Sequence, residues 1–230
     1  MQLFCFHCAG GSSNMFGEWE LPGMDIVGID LPGRGIRVNE PFLDQFDQAV
    51  EDLANKVISL RNPRQTWGVF GHSMGGLLAY EVSRRLQEYQ VQCRILSGIN
   101  PINRYGGGVK LLDEDDHTIV GRLADLGGLP KKYKDHPMFV KWFAPILRAD
   151  LSLVKTFRYT ETKSTIRTYI VNGLDDILTR KAGEADWKEV IPENMEYVSI
   201  EGGHFSILQN PEVVHRLVKS SFKKLGVTSC

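Results

Sequence analysis

The sequence predicts an α/β fold in which a mostly parallel central sheet carries helices on both faces. Three observations predict it. Short apolar runs alternate with amphipathic stretches, a Gly-x-Ser-x-Gly pentapeptide joins one such run to the next helix, and one Gly- and Pro-broken stretch interrupts the alternation. The 230 residues are 42% hydrophobic and 24% charged, enough to bury one sizeable core, so a single domain over 1–230 is expected.

Residues 3–7 are the first strand. The apolar start lacks the basic residues of a leader and runs straight into His7 and a Gly/Ser turn, so it belongs to the core. Residues 25–29 form the second strand. A helix over 46–60 follows, with Phe46, Val50, Leu53, Ala54 and Val57 near one face. The third strand, 67–70, leads through the pentapeptide into a helix over 76–89, whose apolar members are Leu78, Val82 and Leu86. Strands at 93–97, 167–172 and 196–200 complete the sheet. A last helix starts at about Pro211 and is apolar along Val213, Val214, Leu217 and Val218. Proline suits a first helical position, where the missing N–H would have had no partner.

The interruption runs over about 101–162. It reads as a loop, Tyr105-Gly106-Gly107-Gly108, then short helices separated by Gly127-Gly128-Leu129-Pro130 and Pro137. An insertion this long between two strands is commonly a lid. Most of its apolar residues would hold it on the sheet, and a subset would line a channel for an apolar substrate chain.

The pentapeptide Gly71-His72-Ser73-Met74-Gly75 is a candidate nucleophile elbow. A tight strand-to-helix turn pushes the serine hydroxyl out of the fold but crowds its neighbours, and glycines on either side relieve the crowding. Ser73 would then need a base and an orienting acid, in the chain order serine, acid, histidine. His204, in Glu201-Gly202-Gly203-His204-Phe205, follows the last strand, and Asp175 and Asp176 follow the strand before it. Spacing from Gly173 favours Asp176 as the acid that holds His204 Nδ1; Asp175 instead could cap a turn. The remaining histidines, including His72, fit structural or surface roles, although His7 sits beside the next feature.

An acyl-transfer site also needs donors for an oxyanion. The Met74 N–H follows the nucleophile at a helix start, and the turn Cys8-Ala9-Gly10-Gly11 supplies a second N–H, assigned to Ala9. Met15 and Phe16, with Met74, are candidates for the pocket wall, core packing being an equal explanation for Phe16. A net charge of −1 and scattered basic residues exclude a polyanion footprint, so no nucleic acid is expected. No run approaches the roughly 18 apolar residues of a membrane span. Four cysteines include Cys5-Phe6-His7-Cys8, but residues three apart on a strand point to opposite faces, so free thiols, no metal and a cytoplasmic location are expected.

Several spaced motifs resemble one family. They are Phe4-Cys5-Phe6-His7-Cys8-Ala9-Gly10-Gly11, Leu31-Pro32-Gly33-Arg34-Gly35, Gly71-His72-Ser73-Met74-Gly75-Gly76, Leu126-Gly127-Gly128-Leu129-Pro130, Pro145-Ile146-Leu147-Arg148-Ala149-Asp150 and Gly202-Gly203-His204-Phe205. Together, over nearly the whole chain, they resemble a type II thioesterase of nonribosomal peptide or polyketide biosynthesis. The resemblance implies an α/β-hydrolase fold with a helical lid, and removal of misloaded or stalled acyl groups from the phosphopantetheine thiol of an acyl or peptidyl carrier protein, without a cofactor. A departure is His7, where the family usually has proline. Lys131, Lys132 and Lys134 could steer an acidic carrier, and a monomer is expected. A general carboxylesterase or lipase, a chain-releasing thioesterase and a non-catalytic carrier-binding protein are the competing readings.

Overall fold

The computed structural model describes residues 1–105, 109–161 and 164–223, so Gly106, Gly107, Gly108, Thr162 and Cys230 lie outside the described residues. Six strands form one parallel sheet: β1 (Gln2–Phe6), β2 (Asp25–Ile29), β3 (Trp67–His72), β4 (Cys93–Ser97), β5 (Arg167–Gly173) and β6 (Met195–Ile200). Their spatial order is β2-β1-β3-β4-β5-β6. The chain therefore runs outward from β1 to β2, returns to the other side of β1, and from β3 continues in one direction. The carboxyl ends of β1 and β3 flank this reversal, where an open parallel sheet leaves a crevice for ligands.

The helices are α1 (Phe46–Leu60), α2 (Met74–Arg85), α3 (Asp116–Asp125), α4 (Pro137–Thr156), α5 (Glu184–Lys188), α6 (Ser206–Gln209) and α7 (Pro211–Lys223). Two depart from the sequence expectation. Helix α2 starts at Met74 rather than Gly76 and stops at Arg85, with a 3-10 turn over Gln87–Tyr89 in place of the expected last turn. Gly75 and Gly76 thus lie inside the helix, where close packing outweighs their poor helix propensity: a Cβ on Gly75 would stand 2.1 Å from the Phe6 carbonyl oxygen. The last helix of the insertion, α4, has 20 residues and passes through Pro145. Pro145 and Lys141 share its exposed side, where water can serve the carbonyl that proline leaves unpaired. The short α5 and α6 carry too few residues to show a period in the sequence.

Period-2 alternation divides the core between the two sheet faces. Phe4, Phe6, Val69, Leu96 and Ile170 pack with α1, α2 and Trp187 of α5, whereas Leu3, Cys5, Phe70, Ile95, Tyr169 and Val171 pack with α7 and the Phe16–Trp19–Leu21 segment. A third cluster joins α3 to α4 through Ile119, Val120, Val140, Phe143, Ala144 and Leu147, and Ala9 packs against both it and the first core. The helical insertion is thereby seated over the turn that follows β1. Among the described residues, no helix is long and apolar enough to cross a membrane.

Candidate active site

Ser73 caps α2 with φ 56° and ψ −121°, a backbone conformation that a residue with a Cβ seldom adopts. Its N–H donates to the Ser97 carbonyl at 2.8 Å, which ties the turn to β4. The glycines on either side are obligatory for the same turn. A Cβ on Gly71 would lie 1.9 Å from the Gly75 carbonyl oxygen, and one on Gly75 would strike the Phe6 and His7 carbonyls of the adjacent chain. The strain is held by packing and not needed by the fold. Ser73→Gly should therefore raise stability by about 1 kcal/mol, the balance of roughly 1–3 kcal/mol of relieved strain against glycine's greater entropy loss. Calorimetry should show this as a Tm increase of about 2–4 °C.

The acid and the histidine come together over the ends of β5 and β6. Asp176 Oδ2 lies 2.8 Å from His204 Nδ1, with Asp176 0% and His204 5% exposed. A carboxylate only accepts, so Nδ1 carries the proton and Nε2 is left as the basic nitrogen. Asp176 is held in turn by the Leu178 N–H at 2.9 Å and the Thr179 hydroxyl at 2.9 Å. Burial pushes its carboxyl upward, but the hydrogen bond and charge of His204, with the Leu178 and Thr179 donors, outweigh burial and leave it below the usual range. Asp175 is exposed, and its N–H is spent on the Gly202 carbonyl at 3.0 Å. Gly173 makes the approach possible, because a Cβ there would meet the Gly202 and Gly203 carbonyl oxygens at 2.4 Å each. His72 packs beside His204, ring centroids 4.9 Å apart, and burial followed by the His204 charge holds it well below the ordinary imidazole range. Ser73 and His204 share no direct hydrogen bond among the described residues.

The two expected oxyanion donors are the N–H groups of Met74, in the elbow, and of Ala9, in the turn after β1. Met74 opens α2, so its N–H has no acceptor within the helix. Neither it nor the Ala9 N–H donates to any acceptor among the described residues. The insertion covers this region from two sides. Phe143 and Leu147 of α4 close on Gly10, where a Cβ would lie 2.6 Å from Phe143 Cζ, and Gly128 sits on Phe205, beside His204.

The other expected residues fall elsewhere. Phe16 is 3% exposed, edge-on to Trp19 and Phe70 at ring distances of 5.2 and 5.8 Å, and Met15 packs on the same α7-side core. Packing accounts for both side chains. Cys5, Cys8 and Cys93 are buried free thiols, and burial pushes the Cys8 and Cys93 thiols up to about 12. Lys131 and Lys132 are exposed, and Lys134 is half-buried. Asp150 of α4, which the sequence shows only as the end of the motif Pro145-Ile146-Leu147-Arg148-Ala149-Asp150 and without a role, is fully buried between Arg34 and the Gly10 N–H. The arginine within Leu31-Pro32-Gly33-Arg34-Gly35 was the available signal for it, since its guanidinium offers a fork that suits a carboxylate.

Comparison with known proteins adds to this geometry. Residues 1–222 match the family model described as a thioesterase domain. The chain is 26% identical over 223 residues to the probable anguibactin biosynthesis thioesterase AngT of Vibrio anguillarum, covering 92% of this chain and 88% of that protein. It is 29% identical over 218 residues to the medium-chain S-acyl fatty acid synthase thioesterase of Homo sapiens, covering 90% and 81%. The type II thioesterase BorB from the borrelidin biosynthetic cluster superposes with a TM-score of 0.83 at 25% identity, over 96% of this chain and 91% of that one.

Proposed function

The chain belongs to the thioesterase domain family, and from that membership we propose that it is an editing thioesterase acting on carrier proteins, which it clears of misprimed or stalled acyl and aminoacyl groups. The observation that carries the mechanism is the buried Asp176–His204 pair at the same sheet edge as the strained Ser73. Ser73 is the nucleophile, His204 the base and Asp176 the orienting acid. The Ser73 oxygen attacks the thioester carbonyl as His204 Nε2 takes its proton, a contact that tightens when substrate binds. The tetrahedral oxyanion rests on the Ala9 and Met74 N–H groups. Collapse expels the phosphopantetheine thiolate, which takes the proton from His204. Water, deprotonated by His204, then attacks the acyl-serine, and Ser73 recovers a proton as the free acid departs.

A thiolate leaves readily, so nucleophile activation and access carry the selectivity. Residues 101–162 serve as the lid, with Phe143 and Leu147 over the oxyanion turn. AngT and BorB are named for biosynthetic pathways, which supports an acyl or peptidyl carrier protein as the partner of this chain. The carrier's acidic surface around its phosphopantetheine meets Lys131, Lys132 and Lys134. Reversing the three charges to glutamate should lower kcat/KM for carrier-bound acyl groups about tenfold at low salt while leaving small thioesters unchanged. Stopped-flow hydrolysis of both substrates measures this, and equal effects on the two would remove the docking role.

A further inference from the structure

The Ala9 amide is gripped from both sides. The Cys8 carbonyl and the Ala9 N–H belong to one trans peptide, so they point in opposite directions, and fixing the first aims the second. The Cys8 carbonyl accepts from the Gly11 N–H at 3.0 Å and from His7 Nδ1 at 2.8 Å. Because a carbonyl can only accept, the His7 proton is on Nδ1, and Nε2 is left to accept the Leu31 N–H at 3.4 Å. His7 is 1% exposed and enclosed by β1 and the segment after β2. This residue stands where the resembling family usually has proline, which has no such donor.

The next peptide, between Ala9 and Gly10, is held by a different element. The Gly10 N–H donates to Asp150 Oδ2 at 2.7 Å, and the same carboxylate is paired with Arg34. Asp150 is 0% exposed and shares its α4 face with Phe143 and Leu147, which touch the Gly10 position. The two gripped peptide planes meet at the Ala9 Cα, so both of its dihedrals are set from outside.

We infer that His7 and Asp150 are positioning residues that aim the Ala9 N–H at the oxyanion, His7 from β1 and Asp150 from the helical insertion. This rests on the Ser73 reading above. It is tested by binding two acyl-pantetheine analogues: a trifluoromethyl ketone, which forms an oxyanion on Ser73, and a thioether, which does not. His7→Phe, and Arg34→Met combined with Asp150→Leu, should weaken the ketone about 10–100-fold and leave the thioether within about twofold. The double variant replaces the buried pair by apolar groups without leaving a lone charge. His7→Asn keeps a donor near Nδ1, and Asp150→Asn combined with Arg34→Met keeps an acceptor for the Gly10 N–H without leaving a lone charge, so both should recover most ketone binding. If His7→Phe does not fold, the other three variants carry the test. Equal losses for both analogues, or no recovery by the asparagine variants, would overturn the inference. An unaltered protein that prefers the ketone, with unchanged preference in the variants, overturns it alone; no preference in the unaltered protein removes the oxyanion site and the inference with it.

Discussion

Ser73→Ala is expected to lower kcat for an acyl-pantetheine thioester by on the order of 10⁴–10⁶, with little change in substrate affinity. The magnitude follows from what is lost: the covalent route disappears, and His204 has no hydroxyl to deprotonate. Alanine has a Cβ like serine, so the backbone at φ 56° remains strained and the surrounding packing does not change. Folding should be indistinguishable from the unaltered protein by circular dichroism and calorimetry. Single-turnover kinetics with excess enzyme would separate this chemical loss from any effect on binding. Residual hydrolysis above that of water would report the Ala9 and Met74 amides alone.

Asp176→Asn should cost about 10³–10⁴ in kcat, and Asp175→Asn less than about threefold. Asparagine at 176 can turn its amide toward His204 and select the other ring tautomer, which places the proton on Nε2, where a base is required. It also removes the carboxylate charge that stabilises the transient imidazolium. Asp175 contributes only a backbone bond to Gly202 and is exposed, so its side chain has no route to the imidazole. Nitrogen-15 spectra of His204 in the two variants would identify the tautomer directly. A shift of the Nε2 resonance toward the protonated form in Asp176→Asn, and none in Asp175→Asn, is the expected pattern. The reverse pattern would transfer the orienting role to Asp175.

The contrast between those two neighbours shows what the sequence carried and what it did not. The strands were legible because parallel strands covered on both faces read as short apolar runs, and all six lie within two residues of their expected limits. The elbow was legible because the turn admits only glycine at 71 and 75, a steric demand that leaves a visible string. The start of α2 was placed two residues late because Met74 and Gly75 belong to the pentapeptide, yet Gly75 serves clearance against β1 inside the helix. Spacing from Gly173 favoured Asp176, and the physical basis is the passage of the Gly202-Gly203 loop directly above Gly173. The role of Asp150 was not legible from its motif, because its partners Gly10 and Arg34 are 140 and 116 residues away in sequence. Phe16 was ambiguous by composition, and its edge-on contacts with Phe70 of β3 and with Trp19 assign it to the core.

The central claim is that Ser73 releases acyl groups from a carrier-bound thioester. The most direct measurement offers acetyl- and aminoacyl-loaded carrier proteins beside simple oxygen esters and follows acyl loss by intact mass, with Ser73→Ala as the control. Rapid unloading of the carriers by the unaltered protein, slow turnover of the esters and retention of the acyl group with Ser73→Ala is the predicted result. Preferential hydrolysis of the oxygen esters, or carrier unloading that persists with Ser73→Ala, would contradict it.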